Sequence, residues 1–291
     1  MSFIPKRLAL FLVAALMLPI LAACGDDEKQ EVTIGWIPWD EDVAVTFLWA
    51  NLLEEEGYDV NLELLDAGQV FLGLSRGDID VYLDTWLPGT HAEYWDQFGA
   101  ELEDLGVWYD NALLAYAVPD YVDVQTIPEL NDNVDLFGGQ IIGIEPGAGM
   151  MGIAMNRLNP GYGLDANYEL VESSTPAMLA ELERAVGSQD PIVVTMWQPH
   201  WAYDAYNLRN LEDPENLWGD PEQIHVTGRK GFTEDFPELA EWFGNFRMDD
   251  DALFSLEALV VAADDGDEPA AVEQWLEDDA NRELAESWIT D

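Results

Sequence analysis

Cysteine occurs once in the 291 residues, at Cys24. A disulfide within the chain, a zinc–thiolate site and a thiol nucleophile in the folded body are therefore excluded. Basic residues are scarce: 11 Lys and Arg stand against 59 Asp and Glu, a net charge of −48. Two of the 11, Lys6 and Arg7, lie in the first 23 residues, which hold no acid, so the remainder carries about −50. Such a polyanion has no nucleic acid as a natural partner. Beyond residue 23, lysine is reduced to Lys29 and Lys230. Self-repulsion weakens a compact state at low salt, whereas at about 1 M salt the Debye length falls to roughly 3 Å and surface charges hardly interact. The surface is that of a protein suited to a saline setting. The three histidines, His91, His200 and His225, are too far apart in sequence for an H-E-x-x-H zinc site, and no metal or cofactor is expected. Acidic disorder is excluded too, because 48% of residues are hydrophobic and 11% aromatic. With 59 carboxylates some close pair is inevitable, so carboxylate pairs carry no weight for glycosidase chemistry.

The long apolar run sits at the start. After Lys6 and Arg7 it is too short and wrongly flanked for a membrane span, and residues 1–23 read as an export signal peptide. The segment ends in Leu21-Ala22-Ala23-Cys24, which looks like the lipobox of bacterial lipoproteins, with Cys24 lipidated as the new N-terminus. The charged run Gly25 to Glu31 reads as a solvated tether, assigned to residues 24–30. The expected location is the outer face of the bacterial cytoplasmic membrane, held there by the lipid.

The remaining 260 or so residues suffice for two α/β lobes. Short apolar runs alternate with amphipathic stretches: strand Val32 to Trp36, helix Val43 to Glu56, strand Asp59 to Leu65, helix Gly68 to Arg76, strand Ile79 to Asp84. That alternation predicts α/β structure with parallel pairing. A strand from Leu113 to Val118 leaves this lobe, and a second set follows: strand Gln140 to Ile144, helix Gly149 to Leu158, strand Tyr168 to Val171, helix Pro176 to Val186, strand Ile192 to Thr195. An extended piece from Ile224 to Lys230 precedes three final helices near Pro237 to Phe246, Asp249 to Ala263 and Ala270 to Trp288. The division expected is residues 31–118 with 228–291 in one lobe and 119–227 in the other. Two crossings imply a hinge, with a ligand cleft at the carboxyl ends of the strands.

Twelve tryptophans are present, and three share one setting. In GDIDVYLDTWLPGTH an alternating strand delivers Trp86 to a turn closed by His91; IGWIPWDE and IVVTMWQPHW likewise place Trp39 and Trp197 at a strand end beside proline. Several electron-rich indole faces turned to one point attract a cation that cannot donate hydrogen bonds, such as a quaternary ammonium. His91 is placed to donate to a ligand carboxylate. Trp36, Trp201 and His200 lie beside these positions, and His225 falls in a crossing strand with a structural role.

Gly147 to Gly152 satisfies G-x-G-x-x-G after a strand, with Glu172 where the dinucleotide fingerprint places its acid. Glu145-Pro146 separates strand from first glycine, and an exported protein meets little dinucleotide. Backbone N–H groups at a helix start can instead hold a small anion. Gly73-Leu74-Ser75-Arg76-Gly77 fits G-x-S-x-G by chance, since it runs from helix into strand, the reverse of a nucleophile elbow.

At GWIPWDEDVAV, DTWLPGTH, IGIEPGAGMM and MWQPHW the chain resembles the substrate-binding lipoproteins of glycine betaine ABC transporters, over residues 31 to 288. The resemblance implies a two-lobed periplasmic-binding-protein fold, type II-like, with two hinge crossings. It further implies a trimethylammonium group boxed by Trp39, Trp86 and Trp197, and a carboxylate held by His91 and the backbone amides of Gly149 and Met150. Glycine betaine or proline betaine would be the solute and an ABC permease the partner, with no enzymatic step. Choline, carnitine or ectoine are alternative ligands, and an exported dinucleotide-binding oxidoreductase is the alternative class.

Overall fold

The computed structural model describes residues 30–263 and 266–290. The expected signal peptide, Cys24 and most of the tether lie outside the described residues. Strand β1 (Glu31–Trp36) leads into α1 (Asp40–Glu55), followed by β2 (Asp59–Leu64), α2 (Ala67–Arg76), β3 (Val81–Leu87) and α3 (Ala92–Phe98). A long strand, β4 (Leu102–Pro119), then carries the chain into the second lobe. That lobe holds β5 (Gln140–Ile142), α4 (Gly149–Ile153), α5 (Asn159–Tyr162), β6 (Glu169–Val171), α6 (Thr175–Ser188), β7 (Val194–Gln198), α7 (Ala202–Tyr206) and β8 (Leu208–Asn210). Strand β9 (Glu222–Arg229) returns the chain, and α8 (Phe232–Asp235), α9 (Pro237–Asn245), α10 (Asp250–Ala262), α11 (Glu268–Leu276) and α12 (Asp279–Glu286) complete the first lobe.

The strands run β2-β1-β3-β9-β4-β7-β5-β6, with β8 also on β4. Each lobe has a parallel group, β2-β1-β3 in one and β7-β5-β6 in the other, as the alternating pattern predicts. The connecting strands differ from that expectation: β9 pairs antiparallel with β3 and β4, and β4 antiparallel with β7. A strand that passes between lobes enters from the opposite end, so its direction is set by the route of the chain and not by local pattern. Through Ala112 β4 faces β9, and from Leu113 onward it faces β7. At the change, Asn111 adopts φ of 69°, a conformation asparagine tolerates better than most residues.

Helix α1 shows how sequence positions the seam. Its buried side, Val45, Leu48, Trp49, Leu52 and Leu53, seats it on the sheet, with Trp49 against Phe243 and Phe246. Its first turn carries Asp40, Glu41 and Asp42, and negative charge is favoured at that positive end of the helix dipole. Asp42 accepts from the Ile37 N–H at 2.8 Å and from the Thr46 hydroxyl at 3.1 Å, fixing the loop that presents Trp39. Two helical expectations need correction. The helix expected over Ala270 to Trp288 is two, because Asp278 caps a new start by accepting from the N–H of Ala280 and Asn281. The helix expected from Gly149 to Leu158 widens at Ala154 into a π-helical turn.

Candidate ligand-binding site

Trp39, Trp86 and Trp197 come together. They line one small cavity at the seam between lobes, about 20 Å3, with Glu41, Thr90, Leu114, Ile144, Ala148, Gly149 and Met150. All three indoles are buried. Trp86 ends β3 and Trp197 lies in β7, while Trp39 caps the start of α1 in extended backbone. That volume is too small for a dinucleotide.

Each indole N–H donates to a carboxylate: Trp86 to Asp84 at 2.8 Å, Trp197 to Glu41 at 2.8 Å, and Trp39 to Glu145 at 3.4 Å. The bonds of Trp39 and Trp197 cross the seam, as does that of the Tyr94 hydroxyl to the Gly147 carbonyl at 2.8 Å. Glu145 is itself fixed by the N–H and hydroxyl of Thr175. Burial pushes the Glu41 carboxyl well up, with Asp84 and Glu257 adding repulsion. Burial likewise raises Asp84 to about 7, its bond from Trp86 pulling the other way.

His91, expected at the ligand, is fully buried behind the cage and is not among the residues lining the cavity; its ring is stacked on Trp39 at 5.8 Å. Its Nδ1 accepts from the Trp86 N–H at 2.9 Å, and its own N–H donates to the Trp86 carbonyl at 3.0 Å. Burial drops its imidazole to about 3, so the ring is neutral at physiological pH. With Nδ1 accepting, the ring hydrogen sits on Nε2, which has no partner. The turn between Trp86 and His91 is clamped by Glu222 of β9, whose carboxylate accepts from the N–H of Gly89 and Thr90 and from the Thr90 hydroxyl.

Opposite this turn, α4 begins at Gly149. The N–H groups of Gly149 and Met150, in the first turn, have no intrahelical acceptor. A Cβ on Gly149 would clash with the Thr90 carbonyl oxygen. Only glycine permits that approach of the lobes, and the same contact leaves no room for a pyrophosphate across the turn.

Other expected neighbours lie outside the cavity. Trp36 packs edge-on against Phe47 at 5.6 Å. His200 is buried edge-on to Trp197, and Trp201 donates to Asp40 at 2.9 Å along the seam. His225 lies in β9 with Nδ1 3.0 Å from Asp104, in the structural role expected. Sequence reasoning missed Glu41, Asp84 and Glu145. Asp84 was findable, because residues two apart on a strand share a face and Trp86 is its neighbour by that rule. Glu145 had no local signal, since its indole partner is 106 residues away.

A two-lobed α/β fold closed over an aromatic box defines a solute-binding protein. The model of the substrate binding domain of the ABC-type glycine betaine transport system matches residues 30–278, and the chain belongs to that family. It is a family of extracytoplasmic transport proteins, not of enzymes, and it gives no support to an oxidoreductase. The chain is 34% identical over 143 residues to the glycine betaine/carnitine transport binding protein GbuC of Listeria monocytogenes. That match spans 49% of this chain and 47% of the relative, about half its length. Its fold is similar to a glycine betaine, L-proline ABC transporter binding protein (ProX) from Borrelia burgdorferi, with TM-score 0.84 and 29% identity over 90% of this chain and 97% of the other. It is also similar to lactococcal OpuAC in its closed-liganded conformation with glycine betaine, with TM-score 0.83 and 27% identity over 90% of this chain and 100% of the other. Among the described residues no helix is long and apolar enough to cross a membrane.

Proposed function

We propose that this protein captures glycine betaine or a close quaternary ammonium relative such as proline betaine, without chemistry, and delivers it to an ABC permease. The observation that carries the reading is the convergence of Trp39, Trp86 and Trp197 on one buried cavity. A methylated ammonium has no N–H to satisfy, so an apolar aromatic box suits it. Each desolvated cation–π contact contributes about 2 kcal/mol, and three supply most of the roughly −8 kcal/mol of a micromolar complex before association costs. The unpartnered Nε2 of His91 and the free N–H groups of Gly149 and Met150 are the donors for the carboxylate, fixing orientation. Choline lacks that carboxylate and would leave them unsatisfied, whereas carnitine retains one and ectoine has no trimethylammonium group.

In this reading the lobes are residues 31–118 with 228–291, and 119–227, hinged at the two crossing strands. Closure joins the Trp39, Trp86 and His91 side to the Trp197 and Gly149 side, and the closed form docks on the permease. The chain is exported and lipid-anchored through Cys24 at the outer face of the cytoplasmic membrane. Calorimetric titration of the chain from residue 25 onward with glycine betaine at high salt tests the solute. The expected result is micromolar affinity that falls at least about tenfold in Trp197→Ala. No heat from a folded protein, or heat with a nicotinamide dinucleotide, would overturn the reading.

A further inference from the structure

The carboxylates behind the cage do more than complete hydrogen bonds. Away from the cavity the indoles have mixed partners: Trp108 donates to the Leu83 carbonyl at 2.6 Å, Trp275 to the Ser255 hydroxyl at 2.8 Å and Trp201 to the Asp40 carboxylate at 2.9 Å, while Trp49 and Trp218 have no acceptor. All three cage indoles donate to carboxylates, those of Asp84, Glu41 and Glu145. Asp84 and Glu41 are fully buried, and Asp84 Oδ2 makes no well-formed hydrogen bond, with the Tyr82 hydroxyl close to the carboxylate. Among the described residues none of the three carboxylates is ion-paired with Lys, Arg or His. Buried carboxylates without a counter-charge are costly, and Glu257 adds a further buried acid within repelling range of Glu41. Burial pushes Glu41 and Asp84 toward the protonated form, and a cation in the cavity beside them would favour their ionised form.

Resting on the betaine reading, we propose that Asp84, Glu41 and Glu145 are positioning residues that make the cage select a cation over a neutral group of the same shape. Each locks one indole by its N–H. Each also supplies negative charge behind the ring, so that the face turned to the cavity becomes more attractive to a cation. The ammonium then completes the charge balance of the buried acids. A neutral tert-butyl group fills the same space and gains the contacts but not the charge.

The test compares glycine betaine with 3,3-dimethylbutanoate, which replaces the quaternary nitrogen by carbon and keeps the carboxylate. Both are titrated against the whole chain and against Asp84→Asn and Glu145→Gln, at about pH 8, above the value of about 7 to which burial raises Asp84. Asn and Gln keep an acceptor for the indole and remove the charge. The expected result is that the wild type prefers betaine and that each variant loses about tenfold of the preference, as for one charge removed several Å away. Affinity for 3,3-dimethylbutanoate holds or rises, because its packing is unaltered and its net negative charge is repelled less. Equal weakening of both ligands would reduce the carboxylates to props for the rings, and an unchanged preference would remove them from recognition; either overturns the proposal. Glu145→Gln, on a partly exposed loop, keeps the test decisive should Asp84→Asn misfold. A wild type that binds neither ligand overturns the betaine reading itself, and this inference with it.

Discussion

Asp84 couples the cage to acidity through the fold. Burial raises its carboxyl to about 7, against about 3.9 for an unfolded chain. Between those values the native state holds a proton that the unfolded state has released, so stability is full below the lower value and is lost as pH rises through the upper. Asp84→Asn removes this dependence. Urea unfolding at about pH 5 and about pH 8 is expected to show the variant gaining on the wild type at the higher pH; an equal difference at both would contradict it. At this scale the sequence was informative about rings and silent about their supports. Strand-end placement beside proline marked Trp39, Trp86 and Trp197, and all three line the cavity. His91 was visible because it closes the Trp86 turn, yet its tautomer follows from the bond to the Trp86 N–H, which no pattern encodes.

The N-terminus of α1 and the β7–α7 junction form an element-scale clasp. Asp40 Oδ2 accepts from Trp201 Nε1 at 2.9 Å and lies 3.0 Å from His200 Nε2. His200 is fully buried, and its Nδ1 accepts from the Ala202 N–H. None of these three side chains lines the cavity. Trp201→Phe keeps the ring packing and removes the donor, so it shifts the balance between open and closed lobes and leaves the cage alone. Apparent affinity scales with the closed fraction, so dissociation constants for glycine betaine and proline betaine are expected to rise by one common factor of about tenfold, the worth of a charge-assisted bond. A factor that differs between the two would place Trp201 in ligand recognition instead. Elements were legible where periodicity was clean, as in α1 and α2. Strand β4 was anticipated only from Leu113, because its first half mixes polar residues with bulges that break the period of two. The split between α11 and α12 was readable from Asp278, a standard helix-starting residue.

Over the whole molecule, the alternation of strands and helices sufficed for a two-lobed α/β fold, and the similar solved structures agree. The antiparallel crossings were not legible, since they arise from where the chain must re-enter each sheet. In the proposed reading function resides at the seam, where one lobe supplies Trp39, Trp86 and His91 and the other Trp197, Gly149 and Met150, and the indoles donate to acids of both. The most direct measurement is a crystal structure of the chain grown with glycine betaine. The account predicts the quaternary nitrogen within about 6 Å of all three ring centroids, and the carboxylate on His91 Nε2 and the Gly149 and Met150 amides. Betaine bound elsewhere, or seated with its carboxylate toward the indoles, would contradict it.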